Sequence, residues 1–323
     1  MKKHLLKALA LFLSLCLALP ALAAVPEKSL SIATAAQGGS WYGMGSRILK
    51  EVESASPDLV IQVQPGGSVT NLTRLAGGKV NLAMTVDFLV GLAYEGKAPY
   101  RKPASNLRYL MKIVPAYLQV MTLKSSNINT FDDMLGKKFA PGQANLVTHL
   151  LLNMLLEARG VTMDDIRKRG GVVNFVNTGP ATQMMGDGTL DALMMAGNPA
   201  THSRFSEVAM TQDIDLLKID PKLLKAVSDK YPSVKVTRMP EVTYPGVKGG
   251  FPTFATDTVL VATEALSDDA AYLIVKTFYD NLAKLKADMN QFAEADLQKA
   301  LEGNEIPVHP GALRYYRECG LAK

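Results

Sequence analysis

Strand-like and helix-like segments alternate along most of the chain, and this alternation restricts the possible folds more than any other feature. Short apolar runs end at glycine-rich turns or helix-capping residues, and amphipathic segments follow them. Strands that alternate with helices at this spacing predict βαβ units and a mainly parallel sheet. The first predicted strands are residues 29–35, 59–63 and 80–84, and the helices after them are residues 42–52, 68–76 and a segment ending near Tyr94.

A second series repeats the pattern after a strong predicted strand at residues 117–123. Thr130 and Asp133 have capping-box spacing, which predicts a short helix there. Ser267 is the predicted N-cap of a helical C-terminal quarter with a long run over residues 269–289. The other predicted strands are residues 138–140, 172–176, 190–196 and 258–262, and the other predicted helices are residues 145–159 and 181–186.

The length of 323 residues suits about two domains of roughly 150 residues each. The composition does not change at any one linker, which argues against two domains in tandem. It is compatible with domains that share the chain because the chain crosses between them more than once. The predicted fold class is therefore α/β with two domains.

The first 23 residues predict a secretory signal peptide. Three lysines give a basic start, residues 9–19 are apolar, and Ala21-Leu22-Ala23 is a small-x-small cleavage site. Two alternatives remain: an N-terminal membrane anchor, for which the apolar run is short, and a lipoprotein at Cys16, where Leu15 stands in place of the expected small residue. We expect an exported protein that begins near Ala24.

Removal of this leader changes the charge and the cysteine count. The three lysines leave with it, so the formal net charge falls from +5 to +2 and a nucleic-acid partner loses its main support. Cys319 becomes the only cysteine, which excludes an intramolecular disulfide. No later apolar run approaches the ~20 residues of a membrane-spanning helix.

Sequence motifs of catalysis are missing. The chain has no G-x-S-x-G elbow, no H-E-x-x-H and no Walker loop. His149, His202 and His309 lack the spacing of metal ligands. The 15 methionines fall mostly in predicted helix and strand interiors, which favours core packing. We expect no catalytic residue, no metal and no cofactor.

Two glycine-rich loops are the strongest candidates for a binding site. Residues 36–42 and 65–69 each join the carboxyl end of a predicted strand to a helix. Glycine lets the backbone approach a ligand, and free N–H groups with the helix dipole favour an anion. In open α/β sheets ligands bind beyond these strand ends. Ordinary glycine turns with serine caps explain the same residues equally well.

The chain resembles the TAXI group of solute receptors that serve TRAP transporters. The similarity extends from about Ser29 to Leu321. It rests on the order and spacing of several short motifs. These are Ile32-Ala-Thr, Gly38-Gly-Ser-Trp-Tyr42, Gly66-Gly-Ser-Val-Thr-Asn71, Phe131-Asp-Asp-Met-Leu-Gly-Lys137, Pro141-Gly142, Gly197-Asn-Pro199, Thr243-Tyr-Pro-Gly246 and His309-Pro-Gly-Ala312 with Tyr315-Tyr316.

The resemblance implies a type II periplasmic binding protein with two lobes, each a mainly parallel sheet flanked by helices. The implied hinge consists of two crossing strands, near residues 120–123 and 259–261. Lobe I would be residues 24–122 plus 260–323, and lobe II residues 123–259. The family delivers small organic acids or amino acids, glutamate-like ligands among them, to an ion-driven membrane permease. A TRAP permease is thus the implied partner, and we expect a monomer.

Three departures from the family pattern bear on the ligand. Ala35-Ala36-Gln37 replaces a turn richer in Gly and Thr, and residues 142–146 replace a Gly-Ser-Gly-Thr-Glu-like loop. Val86 and Phe88 stand where Gln and Asp are frequent. These changes predict a pocket more apolar than that of glutamate-binding members of the family. The resemblance therefore does not identify the ligand.

The glycine loops and the family's ligand class together predict a small organic anion: a dicarboxylate, a glutamate-like amino acid or a related acid. Either Arg204 or Arg238 could supply a positive charge, and the sequence does not decide between them. Two other functions remain open, a sensory protein that presents ligand to a membrane kinase and an exported enzyme. The expected ligand-binding residues are Gln37, Gly39, Ser40, Trp41, Tyr42, Ser68, Asn71, Asp87, Asn145, Thr148, Asn198 and Thr201.

Overall fold

One long, curled sheet organises the computed structural model, which describes residues 26–323 except 38, 145, 198–202, 233, 242, 246 and 249. Along its main path the strands follow the order β2 (Val60–Gln64), β1 (Ser29–Ala33), β3 (Leu82–Val86), β12 (Pro252–Thr263), β4 (Leu107–Leu123), β7 (Ala192–Gly197), β5 (Lys138–Ala140) and β6 (Val172–Val173), with β8 (Ile214–Leu216) beside β4 and β9 (Lys235–Arg238) beside β12. Parallel strands at both ends flank two long antiparallel strands in the middle. The sheet therefore consists of two parallel groups joined by two crossing strands.

The first lobe contains the parallel group β2-β1-β3. Each strand is followed by a helix, as the sequence predicts, and the observed elements begin or end within a few residues of the predicted bounds. The elements are β1 (Ser29–Ala33), α1 (Ser40–Ala55), β2 (Val60–Gln64), α2 (Ser68–Ala76), β3 (Leu82–Val86) and α3 (Asp87–Glu95).

The two crossing strands are β4 (Leu107–Leu123) and β12 (Pro252–Thr263). They pair antiparallel from Leu107 opposite Thr263 to Tyr117 opposite Ala255. The other edge of β12 pairs first with β9 and then with β3. The change of partner falls at residues 256–257, close to the predicted hinge segments at residues 120–123 and 259–261. Both strands are longer than predicted, and Pro115 explains the late predicted start of β4, since proline inside a run argues against a central strand.

The second lobe contains the group β7-β5-β6, with β5 parallel to both neighbours. Its capping boxes at Thr130 and Thr162 start α4 and α6. Its elements are α4 (Phe131–Met134), β5 (Lys138–Ala140), α5 (Val147–Arg159), α6 (Met163–Lys168), β6 (Val172–Val173), α7 (Thr178–Gly186), β7 (Ala192–Gly197), α8 (Ser203–Ala209), β8 (Ile214–Leu216), α9 (Pro221–Lys230), β9 (Lys235–Arg238), β10 (Thr243–Tyr244) and β11 (Val247–Lys248).

The C-terminal segment returns to the first lobe. The predicted run over residues 269–289 is two helices, α10 (Asp268–Asp280) and α11 (Leu282–Asp288), which meet at Asn281, and α12 (Pro310–Glu318) closes the chain. Helix α10 packs against α1 and α12. The Ser267 hydroxyl accepts a hydrogen bond from the Ala270 N–H, so the predicted cap is confirmed.

Three apolar clusters hold these layers together. One lies in the first lobe beneath α10, with Phe278 and Tyr316 fully buried. A second belongs to the second lobe around Phe205 and Met185. The third continues through both lobes, from α3 to α5 and α9. Burial of such a side chain stabilises the fold by about 1.5–3 kcal/mol. The chain boundaries of the lobes at residues 122/123 and 259/260 stay a prediction.

Candidate functional site

A cavity of about 520 Å³ lies where the carboxyl ends of the parallel strands in the two lobes face each other. The loops after β1 and β2, including Gly67, line one side. The loops after β5 and β6, including Gly142 and Asn177, line the other. Val114 and Thr258 of the crossing strands lie between the two sides. The cavity therefore occupies the crevice in which α/β sheets bind their ligands.

Helix α8 begins at this cavity with Ser203, and so do four helices whose N-caps the structure describes, α1 and α2 from the first lobe and α5 and α7 from the second. Their N-caps are Gly39, Gly67, Leu146 and Asn177, and none of these four described residues caps its helix with a side chain. Five other helices are capped by side chains, those of Thr130, Thr162, Asp220, Ser267 and His309, whereas α3 and α11, whose N-caps are not part of the lining, lack a side-chain cap as well. Uncapped first-turn N–H groups leave partial positive charge facing the cavity, which favours an anion.

The glycine turn before α2 is held by Asn71. Its side-chain amide donates to the carbonyl oxygens of Thr34 and Met84, at 2.6 and 2.9 Å, and its Oδ1 accepts from the Gly67 N–H at 3.0 Å. A Cβ at Gly66 would come within 2.0 Å of that Oδ1, so only glycine fits. Asn71 therefore shapes the loop from behind and is not itself in the cavity lining.

Charge on the described part of the lining is limited to one side chain. Among the described residues that line the cavity, Arg204 is the only charged one, and none is acidic. Its Nη1 lies 3.1 Å from Oε2 of Glu207, one turn further along α8. Arg238, the other arginine left open by the sequence, lies on β9 with its guanidinium near Gly250. The described lining therefore carries positive charge and no negative charge.

Apolar side chains make up much of the remaining wall. Trp41 and Met44 come from α1, Leu146 from the loop before α5, and Met194 from β7. Met289 approaches from the C-terminal segment. The prediction that methionines pack in the core is right for Met194 and Met44, which are almost fully buried, but both also face the ligand space.

The predicted site residues fall into three groups. Six of them line the cavity, namely Gln37, Gly39, Ser40, Trp41, Ser68 and Thr148. Three described residues are not part of that lining, namely Tyr42, Asn71 and Asp87. The last three, Asn145, Asn198 and Thr201, lie outside the described residues. The Thr148 hydroxyl donates to the Pro141 carbonyl oxygen at 2.5 Å, so it also holds its own loop.

Sequence reasoning missed the loop from Val176 to Pro180, which contributes the fourth helix N-terminus. The predicted start of this helix was residue 181, three residues after the observed one. A usable signal was present, since Asn177 directly follows the predicted strand over residues 172–176 and asparagine is a favoured N-cap residue. Thr258 was also missed because a strand interior rarely faces a ligand.

A family comparison supports this architecture. The model of the NMT1-like family matches residues 32–320, which is nearly the whole described chain. The chain belongs to the NMT1-like family.

Solved structures resemble this NMT1-like protein over most of its length. The periplasmic binding protein BugD has a TM-score of 0.55 at 14% identity and covers 92% of this chain and 95% of its own. A protein from Bordetella bronchiseptica RB50 has a TM-score of 0.52 at 14% identity, covering 91% and 90%. A structure concerned with glutathione import via GshT and the cystine importer TcyBC of Streptococcus mutans has a TM-score of 0.50 at 14% identity, covering 83% and 96%.

These similarities confirm the predicted fold class, the two-lobed fold of type II periplasmic binding proteins. The expected α/β architecture with two crossing strands is the observed one. No helix within the described ranges of the NMT1-like protein combines the length and apolar character needed to cross a membrane.

A second polar region of the NMT1-like protein lies where β12 changes partners, and we call it the hinge cluster: Asp87, Lys112, Lys235 and Asp257. Lys112 Nζ is 2.8 Å from Asp257 Oδ1, and Lys235 Nζ is 3.4 Å from Asp257 Oδ2 and 3.7 Å from Asp87 Oδ2. The Asp257 N–H donates to Asp87 Oδ1 at 3.1 Å. Asp87 thus accepts the N–H that β12 exposes between its two partner strands.

Burial governs the titration of Asp87 in this cluster. Burial, followed by the nearby Asp257 carboxylate, raises the pKa of Asp87 to about 6, against an ordinary value of 3.8. Asp87, Asp257 and Lys112 are all buried, whereas the Lys235 side chain is about half exposed. The hinge cluster is therefore a network of paired charges at the crossing strands, and its chemistry differs from that of the cavity.

Proposed function

We propose that this NMT1-like protein is a periplasmic receptor that captures a small organic anion between its two lobes and delivers it to a membrane permease. One observation carries the proposal: four helix N-termini without side-chain caps face one cavity whose described lining holds an arginine and no carboxylate. Each helix N-terminus is equivalent to about half a positive elementary charge. The role involves no catalytic step.

The first lobe contributes α1 and α2, and the second lobe contributes α5 and α7. This arrangement suggests how ligand binding and lobe closure are coupled. An anion held by α1 and α2 alone would leave α5 and α7 with unsatisfied N–H groups. Contacts to all four require both lobes at once. The ligand would then favour the closed state by its additional contacts there, which is the requirement for a ligand-driven shift between conformations.

Within this proposal the six predicted residues that line the cavity bind the ligand together with Arg204. Ser40 and Ser68 supply hydroxyl groups beside the helix N-termini, and Trp41 supplies an aromatic wall. Asn71 positions the loop before α2. Asn145, Asn198 and Thr201 remain proposed contacts on the strength of the family resemblance.

The proposed permease is of the TRAP type, with the receptor acting as a monomer. This step rests on the resemblance of the short motifs to TAXI receptors. Uptake assays with reconstituted permease separate the possibilities: a TRAP permease needs an ion gradient and no ATP. Uptake that requires ATP hydrolysis would overturn the TRAP assignment and leave the receptor role intact.

Thermal unfolding with a panel of dicarboxylates, hydroxy acids, keto acids and amino acids tests the receptor role. A ligand at 100 times its Kd stabilises the folded state by about 2.7 kcal/mol. Trp41 is the only tryptophan and lines the cavity, so its emission should change with the same ligand. Stabilisation without an emission change would contradict the site, and conversion of the ligand, detected by mass spectrometry, would contradict the non-enzymatic role.

A further inference from the structure

The absence of acidic side chains from the described lining restricts the ligand further than its negative charge does. An amino acid carries an ammonium group beside its carboxylate. In a closed cavity that group needs a carboxylate or several carbonyl oxygens, because an unpaired buried charge is strongly unfavourable. The described lining holds no carboxylate, and its charge consists of Arg204 and the positive ends of four helices. Each of these repels an ammonium group.

Some residues in the loops around the cavity are not described by the structure. Their sequence adds no carboxylate to the cavity. Those in the loops around the cavity are Gly38, Asn145 and residues 198–202, which read Asn-Pro-Ala-Thr-His. None is acidic. A carboxylate partner for an ammonium group is therefore missing from these loops by composition alone.

Carboxylates on adjoining elements are already engaged. Glu207 pairs with Arg204. Glu294 accepts a hydrogen bond from the Tyr117 hydroxyl at 3.1 Å. Asp87 and Asp257 are buried among the lysines of the hinge cluster. Recruiting any of them would break an existing contact.

The walls add a second restriction. Trp41, Met44, Leu146 and Met289 surround the space with aromatic, thioether and aliphatic groups. Methionine side chains are flexible and polarisable, so they adapt to apolar surfaces of varied shape. A ligand of high polarity along its whole length would leave these groups without favourable contacts.

We infer that the ligand is an organic anion without an amino group that carries an aliphatic or aromatic body. This inference deepens the proposed function and depends on it. The negative group sits at the convergent helix N-termini beside Arg204, and the body packs against Trp41 and the methionines. Amino acids with the same carbon skeleton bind less tightly because the described lining offers their ammonium group no carboxylate and places positive charge near it.

Matched pairs of probes test the inference by calorimetry on the mature protein. The pairs are 3-phenylpropanoate with phenylalanine, 4-methylpentanoate with leucine, and pentanedioate with glutamate. We expect the amine-free member of an apolar pair to bind about 100-fold more tightly or better. Amino acids that bind equally well would overturn the inference and leave the proposed function standing. Binding of pentanedioate alone would contradict the inference that the ligand has an aliphatic or aromatic body. No binding by any acid counts against the proposed function itself.

A charge-introducing variant provides a second readout on the same pairs. Gln37 lines the cavity, so Gln37→Glu places a carboxylate there with little change of shape. We expect the preference for the amine-free member to fall at least about tenfold. Gln62→Glu is the matched control, since Gln62 is exposed on β2. An unchanged preference in Gln37→Glu, with wild-type thermal stability, would contradict the inference.

Discussion

Asp257 and Thr258 are neighbours on β12, but they belong to two polar regions of different character, the hinge cluster and the cavity. Asp257 belongs to the hinge cluster, where its carboxylate contacts Lys112 and Lys235. Thr258 lines the cavity, and its buried hydroxyl has no hydrogen-bond partner among the described residues. Successive side chains on a strand point to opposite faces. One face of β12 therefore carries a charge that is paired within the protein, and the other face carries a polar group that is available to a ligand.

The two regions therefore differ in whether their polar groups are compensated within the protein. Groups of the hinge cluster come from α3, β4, β9 and β12, and they compensate each other. The cavity has positive helix ends that no described side chain caps. Changes in the hinge cluster should therefore act on stability, and changes in the cavity on affinity.

The largest effect is expected from Lys112→Met. Lys112 is buried and its Nζ lies 2.8 Å from Asp257 Oδ1. Removing one partner of a buried ion pair costs about 3–5 kcal/mol, and the half-exposed Lys235, 3.4 Å from Asp257 Oδ2, would compensate the remaining carboxylate only in part. Urea unfolding of the variant measures this loss. Lys225→Met is the control, because Lys225 pairs with Asp229 at an exposed position and such pairs contribute about 0.3–0.5 kcal/mol. Equal losses in both variants would show that the hinge cluster is not the paired network described here.

A smaller effect, with a defined pH dependence, is expected from Asp87→Asn. The folded pKa of Asp87, about 6, lies above its ordinary value of 3.8. Between these values the folded protein holds the proton and the unfolded chain does not, so the unfolding free energy falls as pH rises. Asparagine does not titrate. The stability of wild type relative to Asp87→Asn should therefore fall by roughly 2 kcal/mol from pH 4 to pH 7.

Urea midpoints of the two proteins across this pH range measure the change. A relative stability that rises with pH would mean that the folded state favours the ionised Asp87. Ligand affinity at pH 7 serves as the internal control, since Asp87 is outside the cavity lining and the variant should bind normally.

Asp87 also shows which features of the site the sequence could predict. The glycine loops, Ser68 and Trp41 follow from local pattern, because a strand end, a glycine turn and a helix start are adjacent in the chain. Asp87 has the same local context, directly after β3, yet it faces β12. Its direction depends on Asp257, 170 residues away, and on where β12 changes partners. No short window of sequence contains that information.

Arg204→Gln is expected to act on affinity alone. Arg204 is the only charged residue among the described cavity lining. Four helix N-termini remain in the variant, so we expect the Kd of the strongest anion from the screen to rise about tenfold, equivalent to about 1.4 kcal/mol. Arg167→Gln is the matched control, since Arg167 also pairs with an acidic residue three positions away on an exposed helix. If both variants bind like wild type, the helix N-termini alone hold the anion.

The smallest effect is expected from Ser68→Ala. Ser68 is buried, lies in the first turn of α2 and lines the cavity, so its hydroxyl can bond the ligand without unfolding any element. Loss of one such hydrogen bond corresponds to about 1 kcal/mol, or roughly a fivefold rise in Kd. Ser54→Ala, at an exposed hydroxyl that bonds the Lys50 carbonyl oxygen, controls for the substitution itself. Tyr42→Phe should leave affinity unchanged, because Tyr42 is not in the lining. A larger loss for Tyr42→Phe than for Ser68→Ala would place the ligand on another face of α1 and remove the contrast between cavity and hinge cluster.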